Sequence, residues 1–181
     1  MLNNPKNQGM VLWFTGLSGA GKTTIANKIA KILSEEGSKY ELIDGDVLRE
    51  QLNWDLGFDE DGRKKNVNIA GYTANLLSKH GVIVLVTLIS PFKEQRDRIK
   101  MSINNFVEIY VNTPLEVCIQ RDHKGLYKKA LANEIPNFTG ISHPYEAPLK
   151  PDVEIDTSII SIDDCVKKII NFLNEKIARL D

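Results

Sequence analysis

Apolar residues in this chain alternate between short continuous runs and stretches with helical spacing. Met10 to Thr15 is an apolar, β-favouring run that ends at a cluster of glycines. The next stretch, Thr23 to Leu33, repeats its apolar positions at the spacing of a helix face: Ile25, Ile29, Ile32 and Leu33. The pattern therefore predicts a strand, a tight loop and a helix.

The same alternation continues along the chain. Further strands are predicted at Lys39 to Ile43, Val82 to Thr87, Phe106 to Val111 and Val153 to Ile155. The second of these runs is apolar throughout, as in a strand buried on both faces of a parallel sheet, so we expect it at the centre of the sheet. Helices are predicted at about Glu60 to Lys79, Lys93 to Ile103 and Pro114 to Arg121.

The last predicted helix has the clearest pattern. Ser161 followed by Asp164 is typical of a capping box, and the apolar stripe behind it consists of Ile162, Val166, Ile169, Ile170, Leu173 and Ile177. Strands alternating with helices predict an α/β fold of three layers, with a mainly parallel sheet between two layers of helices. No repeat or linker divides the chain, so residues 1–181 are expected to form one domain.

Composition excludes several classes of partner. The 181 residues include 23 Lys and Arg against 24 Asp and Glu, so no overall basic field favours a nucleic-acid or membrane partner. The two cysteines, Cys118 and Cys165, are far apart, and neither a disulfide framework nor a zinc site is predicted. Met1 to Gly9 is polar and lacks the apolar region of a signal peptide, so we expect a cytoplasmic protein.

The strongest chemical signal follows the first predicted strand. Residues Gly16 to Thr23 read GLSGAGKT, which fits the phosphate-binding loop G-x-x-x-x-G-K-[ST] in its required place between a strand and a helix. Backbone amides of this loop would surround phosphate groups, Lys22 would bridge the β- and γ-phosphates of ATP, and Thr23 would bind Mg²⁺. A dinucleotide-binding loop is disfavoured because its glycine spacing differs.

Acidic residues follow the second predicted strand. Asp44 and Asp46 lie at the sheet edge where parallel strands present ligands, with Arg49 close behind. One carboxylate could bind Mg²⁺ or take the proton of an acceptor hydroxyl, while the other could orient that hydroxyl. Arg63 and Asn66, one helical turn apart, could face the same cleft. The guanine-reading motif N-K-x-D is missing from the sequence, which disfavours a GTPase.

Residues 122–151 interrupt the regular pattern and are rich in proline and glycine. Four cations lie at or near the start of this segment: Arg121, Lys124, Lys128 and Lys129. We expect a basic lid that closes over the phosphates and excludes water. Phe138 in this segment could stack on a base or pack beneath the lid.

Together these motifs closely resemble the adenylylsulfate (APS) kinases, a family of P-loop kinases. The resemblance rests on the ordered series GLSGAGKT, DGDxxR, LGF, RxxN, ISPF, RDxKGLY and NFTGI, which covers nearly the whole chain. It implies that ATP phosphorylates the 3′-hydroxyl of adenosine 5′-phosphosulfate (APS), with ATP and Mg²⁺ required. We also expect a homodimer that binds small nucleotides.

The resemblance assigns roles to individual residues. Lys22, Asp44 and Ser90 become the catalytic candidates, and Thr23 and Asp44 the magnesium ligands. The ATP site comprises Gly16, Leu17, Ser18, Gly19, Ala20, Gly21, Lys22, Thr23, Thr24 and Arg121. The acceptor site comprises Asp46, Arg49, Phe58, Arg63, Asn66, Ile89, Ser90, Lys124 and Phe138, with adenine between the two phenylalanines.

Some positions depart from the family pattern. Gly62 and Ile69 stand where the family has an acid and an arginine, and Lys93 replaces another arginine. Because an arginine can bind an anion through two hydrogen bonds, its loss predicts an altered site for the sulfate end of the acceptor. An alternative acceptor is therefore another 5′-substituted nucleotide, such as the cytidine diphosphoramidate used in capsule pathways. A catalytically inactive nucleotide-binding subunit is a further alternative.

Overall fold

The structure is a computed structural model that describes residues 8–52 and 55–179. The polar stretch for which no signal peptide is predicted lies mostly outside these residues. None of the described helices is both long and apolar enough to cross a bilayer.

Within the described residues, five parallel strands form one sheet in the order β2-β3-β1-β4-β5. The strands are β1 Met10–Thr15, β2 Tyr40–Asp44, β3 Ile83–Thr87, β4 Phe106–Val111 and β5 Val153–Ile155. The predicted parallel sheet is confirmed, but the prediction that the run Val82 to Thr87 lies at its centre is wrong. β1 holds the central position, and β3 is equally apolar because it is also paired on both edges and covered on both faces.

The described helices alternate with these strands. They are α1 Lys22–Glu35, α2 Gly45–Gln51, α3 Glu60–Lys79, α4 Lys93–Ser102, α5 Leu115–Arg121, α6 Leu126–Leu131 and α7 Ile162–Ala178. The short helices α2 and α6 were not predicted. A carboxylate stabilises the start of each: Asp44 Oδ1 accepts from the backbone N–H of Asp46 at 3.0 Å, and Asp122 accepts from that of Tyr127 at 3.0 Å.

Helices cover both faces of the sheet, which confirms the predicted three layers. Successive residues of a strand point to opposite faces, and β1 divides its apolar residues between two cores accordingly. Leu12 and Phe14 pack with α1 and α7, whereas Val11 and Trp13 pack with α3 and α4.

The last helix begins as the sequence predicts. Ser161 Oγ accepts a hydrogen bond from the backbone N–H of Asp164, and the apolar stripe behind it is packed into the first core. Cys118 and Cys165 are both buried and free.

Several polar residues meet at one edge of the sheet because the strands are parallel. In the β2–β3 register Asp44 pairs with Thr87, and in the β1–β3 register Phe14 pairs with Thr87. Thr15, which ends β1, leads directly into the glycine-rich loop. This is the edge at which open parallel sheets bind their ligands.

Candidate active site

The glycine-rich loop takes a path that requires glycine at its two ends. Gly16 has φ 144°, and a Cβ there would lie 2.5 Å from the carbonyl oxygen of Val111. Gly21 has φ 102° and forms the N-cap of α1. Because side chains are disfavoured at both angles, the loop can turn tightly at the start of α1, where the helix N-terminus favours anions.

Lys22 turns back into this loop. Its ammonium donates to the carbonyl oxygens of Gly16 at 3.0 Å and Leu17 at 2.8 Å. Burial lowers the pKa of Lys22 to about 8, although Cys118, Asp46 and Asp44 oppose the shift. A charge held against the loop with little solvation is suited to binding phosphate oxygens.

The carboxylate of Asp44 accepts hydrogen bonds from hydroxyl groups on two other elements. Its Oδ2 accepts from Thr23 Oγ1 at 2.9 Å and from Thr87 Oγ1 at 2.8 Å. Burial alone would raise the pKa of Asp44, but hydrogen bonds from Thr87, Thr23 and the amide of Asp46 outweigh it and lower the pKa. Asp44 is therefore ionised at neutral pH and is a weak base, which favours the metal-binding role over proton transfer.

The back of the loop is held by two threonines that the sequence analysis missed. Thr113 Oγ1 and Thr157 Oγ1 both donate to the carbonyl oxygen of Ala20, at 3.1 and 2.9 Å. Arg121 donates to Thr157 Oγ1 at 2.7 Å and to the carbonyl oxygen of Gly19 at 3.3 Å. Each threonine comes two residues after the end of a strand, β4 or β5, and this position was the signal that could have identified it.

The segment predicted as a lid contacts the loop through Tyr127. The Tyr127 hydroxyl donates to the carbonyl oxygen of Ser18 at 2.9 Å, and its ring packs edge-on against Phe138 at 5.0 Å between centroids. Phe138 is only 7% exposed. Of the four predicted cations, Arg121 contacts the loop at Gly19 and Lys124 pairs with Asp46, whereas Lys128 and Lys129 lie exposed on α6.

On the acceptor side, two predicted residues meet across the cleft. The ammonium of Lys124 forms an ion pair with the carboxylate of Asp46, which raises the pKa of Lys124. Arg49 donates to the carbonyl oxygen of Gly57 at 3.0 Å, and its guanidinium lies 4.5 Å from the centroid of the Phe58 ring. The Phe58 ring is 62% exposed, so an aromatic surface is available there.

Arg63 joins this side to the lid segment. It donates to the carbonyl oxygen of Phe58 at 2.7 Å, to that of Asn137 and to the hydroxyl of Thr139. The Arg63 guanidinium is thus bonded to Phe58 itself and to both sequence neighbours of Phe138. Asn66 is buried one turn further along α3, and the exposed Thr24 lies beside Thr23 at the start of α1.

Ser90 lies after β3 in an unusual conformation. Its φ of 40° is left-handed, which costs about 1 kcal/mol or more in a residue other than glycine. Its hydroxyl is buried and accepts a hydrogen bond from the indole N–H of Trp13 at 3.0 Å. The neighbouring carbonyl oxygen of Ile89 accepts from Thr15 Oγ1 at 2.7 Å, so both residues are held at the sheet edge.

The three positions that depart from the family pattern lie on α3 and at the start of α4. Ile69 is 37% exposed and, by helix geometry, lies about 120° around α3 from Arg63. Position 62 admits no side chain, because a Cβ there would lie 2.3 Å from the carbonyl oxygen of Gly57. Lys93 pairs with Asp97 on the surface of α4. The altered anion site inferred from these departures stays a prediction.

Three comparisons with known proteins bear on this site. The family model described as Adenylylsulphate kinase matches residues 8–156. An adenylyl-sulfate kinase of Rippkaea orientalis is 50% identical over 94% of both chains, and one of Chloroflexus aurantiacus is 52% identical over 90% of this chain and 87% of its own. A solved APS kinase of Mycobacterium tuberculosis, in complex with AMPPNP and APS, is 42% identical with a TM-score of 0.86, over 92% of this chain and 98% of its own.

The lowered pKa of Lys22 predicts a pH-dependent affinity for ATP. Above about pH 8 the free protein has lost the Lys22 proton, which must be regained to bind phosphate, so affinity should fall about tenfold between about pH 7 and about pH 9. Calorimetric titration measures this. The matched control is Lys22→Arg, whose guanidinium stays charged throughout this range. An equal fall in both proteins would assign the effect to another group.

Replacing Asp44 with asparagine should separate its charge from its structural role. Asparagine is an equally good N-cap and can still accept from the amide of Asp46, so α2 should persist. The loss of charge should lower kcat by about 100-fold or more while changing ATP affinity little. Steady-state kinetics and direct ATP binding measure the two effects. A parallel loss of nucleotide affinity would instead indicate that Asp44 supports the loop.

Proposed function

The chain belongs to the adenylylsulphate kinase family, and we propose that its sheet edge transfers the γ-phosphoryl group of ATP to the 3′-hydroxyl of APS. The observation that carries this proposal is the 2.9 Å hydrogen bond between Thr23, in the phosphate loop, and Asp44, at the end of β2. It brings the ATP-binding and acceptor-binding elements together at one point. Phosphoryl transfer depends mainly on such positioning and on stabilisation of charge.

The ATP side consists of residues already arranged around an anion. Amides between Gly16 and Thr23 would surround the phosphates, and the Lys22 ammonium would exchange two carbonyl oxygens for phosphate oxygens. Arg121 contacts the loop at the carbonyl oxygen of Gly19 and is held there by its hydrogen bonds to Thr157. These groups would stabilise the negative charge on the phosphate oxygens during transfer.

Magnesium fits the oxygen ligands at the Thr23–Asp44 contact. A carboxylate and a hydroxyl are hard donors of the kind Mg²⁺ prefers, and the Thr87 hydroxyl is bonded to the same carboxylate oxygen. When bound, the ion would offset the charge that develops on the phosphate oxygens. Asp44 remains ionised to hold it because hydrogen bonds lower its pKa.

The acceptor side would bind the adenine and ribose of APS. We assign the base to a stack on Phe58, whose exposed ring is backed by Arg49. Phe138, which is 7% exposed and packed against Tyr127, would have to be uncovered to hold the other face of the base. Asp46 stands two residues from Asp44 and could accept a hydrogen bond from the attacking hydroxyl. Its ion pair with Lys124 would then open or be shared with the substrate, which couples the lid segment to acceptor binding.

We assign Ser90 to acceptor positioning and not to a phosphoserine intermediate. Its hydroxyl oxygen is 3.0 Å from the indole nitrogen of Trp13, and the residue is only 2% exposed. A hydroxyl that carries a phosphoryl group would have to leave this buried contact. Direct in-line transfer from ATP to the acceptor requires no such movement.

Comparing acceptors tests the proposal. We expect kcat/KM for APS to exceed that for cytidine diphosphoramidate by about tenfold or more, since a purine offers the larger surface for stacking on an aromatic ring. Release of ADP, measured with each acceptor and with AMP as the simple nucleotide control, gives the ratio. A preference for the cytidine compound would support the alternative pathway, and no turnover with any acceptor would support an inactive nucleotide-binding subunit.

Replacing Phe58 tests the proposed site for the base of the acceptor. Because Phe58 is exposed, Phe58→Ala should leave the fold intact while raising the KM for APS about tenfold and the KM for ATP little. Met101→Ala removes another large exposed side chain, 82% exposed on α4, and is the matched control. Equal effects of the two variants would contradict base stacking on Phe58.

We further propose a homodimer that acts in the cytoplasm. An apolar stripe of three exposed residues one turn apart on α3 supports dimerisation: Ile69, Tyr72 and Leu76. The free, buried thiols of Cys118 and Cys165 support a reducing compartment. Light scattering should give the mass of two chains, and Tyr72→Lys should reduce it to one. A single-chain mass in the unmodified protein would contradict the proposal, as would a larger assembly.

A further inference from the structure

Arg96 of α4 is an arginine buried inside the protein. It is 1% exposed, and its Nε donates to Glu108 Oε1 at 3.0 Å. Glu108 lies on β4, directly beside Trp13 of β1 in the sheet register. The resulting ion pair is buried beside Trp13, at the apolar core that packs against α3 and α4.

The two remaining nitrogens of this guanidinium bind backbone on separate segments. Nη1 donates to the carbonyl oxygen of Ser90 at 2.6 Å, and Nη2 to that of Glu146 at 2.6 Å. Glu146 is attached to the same turn by two further contacts: its amide donates to Pro91 O at 2.9 Å, and its carboxylate accepts from the Lys93 amide at 2.6 Å. Arg96 therefore joins β4, the turn after β3 and the segment that carries Glu146.

The turn held in this way is the one that presents Ile89 and Ser90. Ser90 has a left-handed backbone, and such a conformation persists only where neighbouring contacts hold it. Arg96 binds its carbonyl oxygen and Trp13 binds its hydroxyl. Thr15 holds the preceding carbonyl, that of Ile89, and its hydroxyl is also 2.8 Å from that of Tyr145.

We propose that Arg96, neutralised by Glu108, is a positioning residue that holds the Ile89–Ser90 turn in the conformation that receives the acceptor. This inference rests on the proposed function, since it assumes that the turn contacts the nucleotide acceptor. Arg96 itself does not reach the cleft, because it is 1% exposed and each of its three guanidinium nitrogens donates to a partner inside the protein. Its effect is on acceptor geometry and not on the phosphate loop.

The geometry requires arginine at this position. A planar guanidinium can direct three N–H groups to three acceptors at fixed angles, whereas a lysine ammonium on a flexible stem cannot. The charge requires Glu108, because an unpaired buried cation would be strongly disfavoured. Arg96→Lys should therefore keep the charge but release the turn.

Kinetics provide the first test. Arg96→Lys should raise the KM for APS about tenfold or more, because small displacements of positioning groups are costly, while the KM for ATP changes less than about twofold. The matched control is Arg98→Lys, two residues further along the same helix, where the arginine is exposed. Glu108→Gln, which keeps an acceptor oxygen, is a milder variant that should shift the KM for APS in the same direction.

The second test needs no substrate. The chain has two tryptophans, so its ¹⁵N-correlated NMR spectrum contains two indole signals, and a Trp54→Phe variant assigns the one from Trp13. If Arg96→Lys releases the turn, the Trp13 N–H loses its bond to Ser90, its proton signal moves upfield and its exchange with solvent speeds up. Arg98→Lys should leave the signal in place.

The two tests separate this inference from the proposed function. If the unmodified protein does not phosphorylate APS, the proposed function fails, while the indole signal still reports whether Arg96 holds the turn. An unchanged Trp13 signal together with an unchanged KM for APS in Arg96→Lys would overturn the inference. Equal increases in both KM values would also overturn it, because they would indicate a general structural role.

Discussion

The burial of one ammonium group, that of Lys22, is the constraint on which the site depends. A buried cation is costly unless oxygen atoms replace its water, and here two loop carbonyls do so while the pKa still falls to about 8. These contacts leave the charge at the place where phosphate would bind. The loop must turn tightly to offer those carbonyls, and at Gly16 this path passes so close to the carbonyl oxygen of Val111 that no side chain fits.

Threonines at the ends of the strands make this arrangement rigid. Thr87 at the end of β3 holds Asp44, while Thr113 and Thr157, each two residues beyond a strand, hold the carbonyl oxygen of Ala20. Because all five strands are parallel, their carboxyl ends bring these short hydroxyl side chains to one edge. The sheet thus supplies the support for the loop as well as the ligands around it.

The sequence predicted the parts of the molecule that repeat or match a motif. β1, α3 and the phosphate loop were predicted correctly because apolar periodicity or a specific spacing marks each of them. The order of the strands was not predicted, since β1 and β3 are equally apolar and only their pairing distinguishes the centre. The family pattern marks Ile69 as a departure, but the sequence alone does not show how exposed its side chain is on α3.

A buried ion pair is weak support for stability, because apolar residues of similar volume often stabilise a core equally well or better. The burial of Arg96 and Glu108 therefore needs another explanation. The guanidinium satisfies carbonyl groups from two separate segments, of which one belongs to a left-handed turn. Apolar side chains could fill that space but would leave both carbonyl oxygens without a donor. The free-energy cost of burying the charge is thus offset by the hydrogen bonds through which Arg96 fixes the backbone on the acceptor side.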